Sequence, residues 1–169
     1  CAVVASVSYA QQDPQYTQYM FDRLSTNSGV AGTSGNICVT ALLRQQWSGF
    51  DGAPKTGLIT VQGPISKINS GVGMSVYYDK LGQETSTIAR LHGGTGTLGV
   101  GLYAGLSSRA LGNKWIAVDD VTQDDAIPDN GTSSSGFDMG AGIYYVNQKL
   151  WAGLSSTQLP ETELENVSI

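Results

Sequence analysis

The dominant pattern along the chain is a regular alternation of apolar residues with small or polar ones. In the clearest run, Leu98–Ser107, aliphatic residues take every second position, and glycine, tyrosine or serine fills the others. A period of two indicates a strand with two different faces. Further strands are predicted at 37–44, 55–63, 71–78, 84–93, 137–146 and 150–156. No segment has helical periodicity over three turns, so the sequence predicts an all-β protein, an antiparallel up-and-down meander.

The two faces of these strands do not resemble those of a soluble sandwich. One face is aliphatic, and the other carries Gly, Ser, Thr and Tyr instead of Lys, Glu and Arg. A transmembrane barrel with an apolar side towards lipid and a small, polar interior gives this pattern. Aromatic residues near strand ends fit the girdles of such barrels: Trp47, Tyr77, Tyr78, Tyr144, Tyr145 and Trp151. The alternative is a soluble β-sandwich with Tyr-rich strands.

Composition narrows the function classes. Charged residues make up 14% of the chain, and 22 of its 169 residues are glycine, against typical fractions of about 25% and about 7%. No apolar run approaches the roughly 18 residues of a membrane-spanning helix. The net charge of −5 without a Lys/Arg cluster argues against nucleic-acid binding.

The chain divides into three predicted parts. Residues 1–10 are small and apolar and end in Ser8-Tyr9-Ala10, which is typical of the end of a secretory signal peptide. Residues 11–34 are expected to form a periplasmic N-terminal segment, and 35–169 a partial barrel. Seven strands are fewer than the minimum of about eight in single-chain bacterial barrels. We therefore expect a truncated, strongly curved sheet whose first and last strands are not paired.

Candidate chemistry is sparse. His92 is the only histidine, so any Ser–His–Asp arrangement would depend on it. A histidine facing the lumen or the membrane surface is the simpler interpretation. No nucleophile-elbow, zinc-protease or phosphate-loop motif is present. The sequence therefore predicts a protein that is not an enzyme and that has no cofactor, metal or small-molecule substrate.

One acidic stretch of the sequence is a candidate metal site. It holds five aspartates: Asp119, Asp120, Asp124, Asp125 and Asp129. Closely spaced carboxylates can ligate calcium, but their spacing does not match the twelve-residue calcium loop. A solvated acidic loop is the favoured interpretation.

Four motifs together carry a family resemblance. They are "DPQYTQYMF" (13–21), "RQQWSGFDGAPKT" (44–56), "GVGMSVYYDKLG" (71–82) and "GAGIYYVNQKLWAGLSS" (140–156). In this order they resemble the PorP/SprF family, outer-membrane β-barrel components of the type IX secretion system in Bacteroidetes. The resemblance implies a role in exporting or anchoring adhesin-like surface proteins, as in gliding motility, by binding proteins rather than by catalysis. It implies contacts with secreted proteins, other secretion-system subunits and outer-membrane lipid.

The motif at 44–56, "RQQWSGFDGAPKT", is the most specific of the four and supplies the candidate binding residues. It is expected to form an extracellular hairpin tip, with Trp47 at the membrane edge and Gly52 and Pro54 making the turn. The partner-binding or structural residues are Trp47, Gly49, Phe50, Asp51, Gly52, Pro54 and Lys55. The alternative function is an exported soluble β-domain that binds a small ligand or glycan on a Tyr and Trp platform.

Overall fold

Seven strands make up nearly all of the regular structure. The computed structural model describes residues 19–95, 98–112 and 131–160. The strands are β1 (Cys38–Gln45), β2 (Lys55–Ile65), β3 (Ser70–Leu81), β4 (Glu84–Thr95), β5 (Leu98–Leu111), β6 (Thr132–Val146) and β7 (Trp151–Ser156). Three single-turn 3₁₀ helices cover Tyr19–Phe21, Ser28–Val30 and Ser66–Ile68. None of the helices in the described ranges has the length and apolar character needed to cross a membrane.

The strands form one antiparallel sheet in sequence order, from β1 to β7. Each strand pairs with the next along the chain, so the prediction of an all-β up-and-down meander is confirmed. The sheet curls into a half-barrel with a concave and a convex face. In the part of the chain that is described, β1 and β7 are not paired with each other, as predicted.

Both β5 and β6 extend into a region where the sequence predicts no strand. The predicted strands end at Ser107 and begin again at Phe137, but β5 continues to Leu111 and β6 begins at Thr132, with Arg109 opposite Ser134. This stretch of β6 is rich in serine and lacks apolar alternation. Strand pairing needs only backbone N–H and C=O groups, so a polar segment can extend the ladder. The acidic stretch 119–129 lies outside the described residues.

The convex face is apolar, as the alternation predicts. On β5, Leu98, Val100 and Leu102 are exposed, whereas Gly99 and Gly101 between them are buried. Leu106, further along β5, is also exposed, and the other strands add exposed apolar side chains to this face: Val39, Leu43, Ile59, Val72, Met74, Val76, Leu91, Phe137, Met139, Ile143 and Leu154. We call this surface the apolar belt.

The concave face holds a small core near β1–β4. Leu42, Leu58, Tyr77 and Ile88 stand directly opposite one another on four successive strands. Leu58, Tyr77 and Ile88 are buried together, and Leu42 packs against them. This row stabilises the pairing of the first four strands, because directly opposed side chains lie close together on one face.

Candidate functional site

The predicted binding residues do form a hairpin tip, between the end of β1 at Gln45 and the start of β2 at Lys55. The base is closed by the Gln46 N–H, which donates to the Pro54 carbonyl at 3.0 Å. Within the tip, the Phe50 N–H donates to the Trp47 carbonyl, and the Ala53 N–H to the Phe50 carbonyl, both at 3.3 Å. These hydrogen bonds give the tip a defined backbone shape.

Glycine is required at two positions of the tip. Gly49 has a φ of 107° and Gly52 a φ of 76°, in the left-handed region that side chains disfavour. The Gly82 N–H, in the β3–β4 turn, donates to the Gly52 carbonyl at 3.0 Å. The two neighbouring hairpins are therefore tied together at this end of the sheet, which we call the tip end.

The tip presents apolar groups to the outside. Trp47 and Phe50 are 70% and 77% exposed. They line an open, mostly apolar groove of about 500 Å³ together with Pro54 and Leu81. Asp51 also lines the groove and is exposed, whereas Pro54 is buried and Lys55 belongs to the convex face. The structure thus brings six of the seven predicted residues into the loop and places Lys55 at the first position of β2.

A buried ion pair crosses the concave face behind the belt. The Arg90 Nε donates to the Asp138 carboxylate at 2.6 Å, and their side chains are 7% and 5% exposed. Arg90, Gly105 and Asp138 are directly opposite one another on β4, β5 and β6. A Cβ at Gly105 would overlap the backbone of β4 and lie 2.9 Å from the Arg90 Cγ. Glycine at 105 therefore leaves the space through which Arg90 reaches Asp138.

His92 lies in the same cluster, inside the curl of the sheet. Its Nε2 is 2.9 Å from the Ser75 hydroxyl, and its ring centroid is 5.5 Å from that of Tyr103. A Ser–His nucleophile needs a third group that orients the imidazole. Asp138 instead accepts hydrogen bonds from Arg90 and from the Tyr103 hydroxyl at 3.0 Å. Among residues 19–95, 98–112 and 131–160, none makes a hydrogen bond to the His92 Nδ1, so this part of the chain supplies no base-orienting contact.

A row of glycines crosses the concave face at the end opposite the tip, which we call the turn end. Gly71, Gly94, Gly101 and Gly142 are directly paired in register across β3 to β6. Because glycine has no side chain, another segment can pack directly on the backbone of this row. Residues 22–33, the docked segment, lie on it: Ala31 contacts Gly71 and Gly94, and a Cβ at Gly101 would overlap Ser28.

Polar contacts hold the docked segment in place. The Asn27 side chain accepts a hydrogen bond from the Gly29 N–H at 2.9 Å and donates to the Ile143 carbonyl at 3.0 Å. The Arg23 guanidinium donates to the Tyr144 hydroxyl at 2.7 Å and stacks over the Trp151 ring at 5.0 Å. The segment is therefore anchored to the concave face at the turn end.

Neither the Arg90–Asp138 ion pair nor the docked segment was predicted from the sequence. Each left a signal in the sequence. Arg90 and Asp138 are at inward-facing positions of strands with a period of two, and so are the four paired glycines. What the pattern lacked was the register, because a one-residue slip moves every side chain to the other face. Segment 22–33 has no periodicity from which its docking position could be predicted.

The comparisons with known proteins agree with this architecture. Residues 8–169 match the profile of the family described as type IX secretion system membrane protein PorP/SprF. No curated protein and no solved structure matches the chain. The match covers nearly the whole chain and includes every strand and the hairpin tip. The chain belongs to the PorP/SprF family of type IX secretion system membrane proteins.

Proposed function

We propose that the protein is an outer-membrane β-barrel component of the type IX secretion system that supports export or surface anchoring of adhesin-like proteins by binding them. The observation that carries this proposal is the polarity of the sheet. Its convex face is apolar and exposed, while Arg90, His92 and Asp138 are buried on the concave face. Water would disfavour so large an apolar surface on a monomer, whereas lipid favours it.

The height of the apolar belt supports a membrane location. On β5 the belt is bounded by Leu98, opposite Tyr145, and by Ser108, which lies in the cross-strand row of Tyr78. Ten residues at a rise of about 3.4 Å and a tilt of about 40° give a height of about 26 Å. The apolar band of outer-membrane barrels is about 25 Å tall. The edges of β1 and β7 must find strand partners in lipid, since unpaired backbone groups are not tolerated there.

The concave face favours a scaffold over a conduit for secreted chains. The docked segment covers the glycine row at the turn end, and the Arg90–Asp138 pair bridges three strands behind it. Binding of partners therefore falls to surfaces outside the curl. The tip is the best candidate, because exposed aromatic side chains over a groove are typical anchors of protein interfaces.

The tip proposal can be tested with matched variants of the full chain in a bacterium that uses type IX secretion. Trp47→Ala/Phe50→Ala removes the two aromatic side chains that project from the tip. Ile68→Ala/Leu150→Ala removes two exposed apolar side chains at the turn end and serves as the control. We expect the tip variant to be inserted normally but to lose most surface display of the adhesin and its co-purification with secretion-system subunits.

Two results would contradict the proposal, and they are separable. Recovery of the unmodified protein in the aqueous phase, without detergent, would contradict the outer-membrane assignment. Normal display and co-purification by the tip variant, with the protein in the outer membrane, would contradict the tip as the partner site alone.

A further inference from the structure

Two lysines stand side by side on the convex face at the tip end. Lys55 on β2 and Lys80 on β3 are directly opposite each other and both are exposed. Directly opposed side chains have Cβ atoms about 5 Å apart. Their ammonium groups can therefore reach a common point just outside the sheet.

An anion between the lysines would offset the repulsion of their like charges. Like charges directly opposite each other destabilise a sheet. The acidic residues of the adjoining strand positions face the other way: Asp79 accepts from the Thr56 hydroxyl at 2.6 Å, and Glu84 pairs with Arg109 at 2.9 Å. Asp51 is exposed in the tip, and no ion pair joins it or any other described acid to either lysine.

The surroundings of the lysines indicate which anion fits. Along the same face, the next outward positions are Gly57 and Tyr78, and then Ile59 and Val76 in the apolar belt. On the other side lies the tip with exposed Trp47. The lysines thus stand between an apolar belt and an aromatic rim, at the level where lipid headgroups lie.

We propose that Lys55 and Lys80 form a binding site for a phosphate group in the headgroup of a membrane lipid, whose acyl chains lie along the apolar belt. The inference rests on the membrane location proposed above. A phosphate offers several strong acceptor oxygens and enough negative charge for two ammonium groups, and lysine binds phosphate as a point charge. The acyl chains and Ile59 and Val76 then add apolar contact below the headgroup.

The test uses the full chain in neutral detergent micelles, titrated with bisphosphorylated lipid A and followed by native mass spectrometry. The site variant is Lys55→Gln/Lys80→Gln. The matched control, Lys67→Gln/Lys149→Gln, removes the same charge from two exposed lysines at the turn end. We expect the site variant to bind lipid A at least tenfold more weakly, the control to bind like the wild type, and wild-type binding to fall with added salt.

Further arms separate the sources of phosphate and the two proposals. Lipid A stripped of phosphate should bind the wild type as weakly as lipid A binds the site variant, and millimolar inorganic phosphate should not displace lipid A. Equal binding by site and control variants, equal binding of stripped lipid, or displacement by free phosphate would overturn the site. Insertion into liposomes is measured on every variant: a protein that inserts but shows one of these results refutes only the lipid site, whereas failure of the wild type to insert refutes the membrane location and the site with it.

Discussion

Placing a charge in the middle of the apolar belt tests the membrane location most directly, and Leu102 is the position to use. It lies on the convex face of β5 and is 66% exposed. It is four residues from Leu98 at one boundary of the belt, which corresponds to a depth of about 10 Å along the membrane normal. The belt is about 26 Å tall by the same geometry, so Leu102 is within about 3 Å of its midplane.

The expected cost follows from this depth. An arginine at the bilayer midplane costs about 2–4 kcal/mol of barrel stability, and one near the interface about 0–1 kcal/mol. We expect Leu102→Arg to lower the free energy of unfolding by the larger amount. Ala110→Arg is the matched control on the same face of the same strand, because Ala110 lies eight residues further along β5, above the belt.

The assay is denaturant unfolding of the full chain in phospholipid vesicles, followed by tryptophan fluorescence. In water, by contrast, a surface substitution such as Leu102→Arg usually changes stability by less than about 0.5 kcal/mol. Costs for Leu102→Arg and Ala110→Arg that agree within that margin would refute the argument that this face contacts lipid.

Two further outcomes are expected from the concave face. Arg90→Met should lower the free energy of unfolding by about 3–5 kcal/mol, because it leaves the Asp138 carboxylate buried without its ion-pair partner. Adding Asp138→Leu should restore part of this loss. If the costs of the two substitutions were strictly additive in a double-mutant cycle, the two side chains would not be coupled. Gly101→Val should displace the docked segment and speed tryptic cleavage after Arg23. Gly93→Val should not, because the added Cβ has no atom within 4 Å. Equal cleavage rates for the two variants would show that the docked segment does not pack on the glycine row.

The fold was largely predictable from the sequence, because its cause is local. Alternation with a period of two determines which side chains face outwards, and it does so strand by strand. Leu98, Val100 and Leu102 on one side and Gly99 and Gly101 on the other were assigned in this way, and the structure agrees. The turn predicted at Gly52 has an equally local cause, since glycine is favoured where the backbone takes positive φ.

The interior of the half-barrel was not predictable, because its cause is long-range. Arg90 and Asp138 are 48 residues apart, and they meet only because Gly105 is opposite both of them. Asn27 reaches the Ile143 carbonyl across 116 residues. Such contacts depend on strand register, which follows from the pairing of whole strands and not from the composition of any one segment.

The glycine row has a consequence for the order of events during biogenesis. Its four glycines come from four strands, so the row does not form until β3, β4, β5 and β6 have paired in register. Residues 22–33 precede all of these strands in the chain and are synthesised before them. The part that emerges first can therefore settle last. The time at which residues 22–33 become protected from protease during assembly would therefore mark the completion of the β3–β6 register.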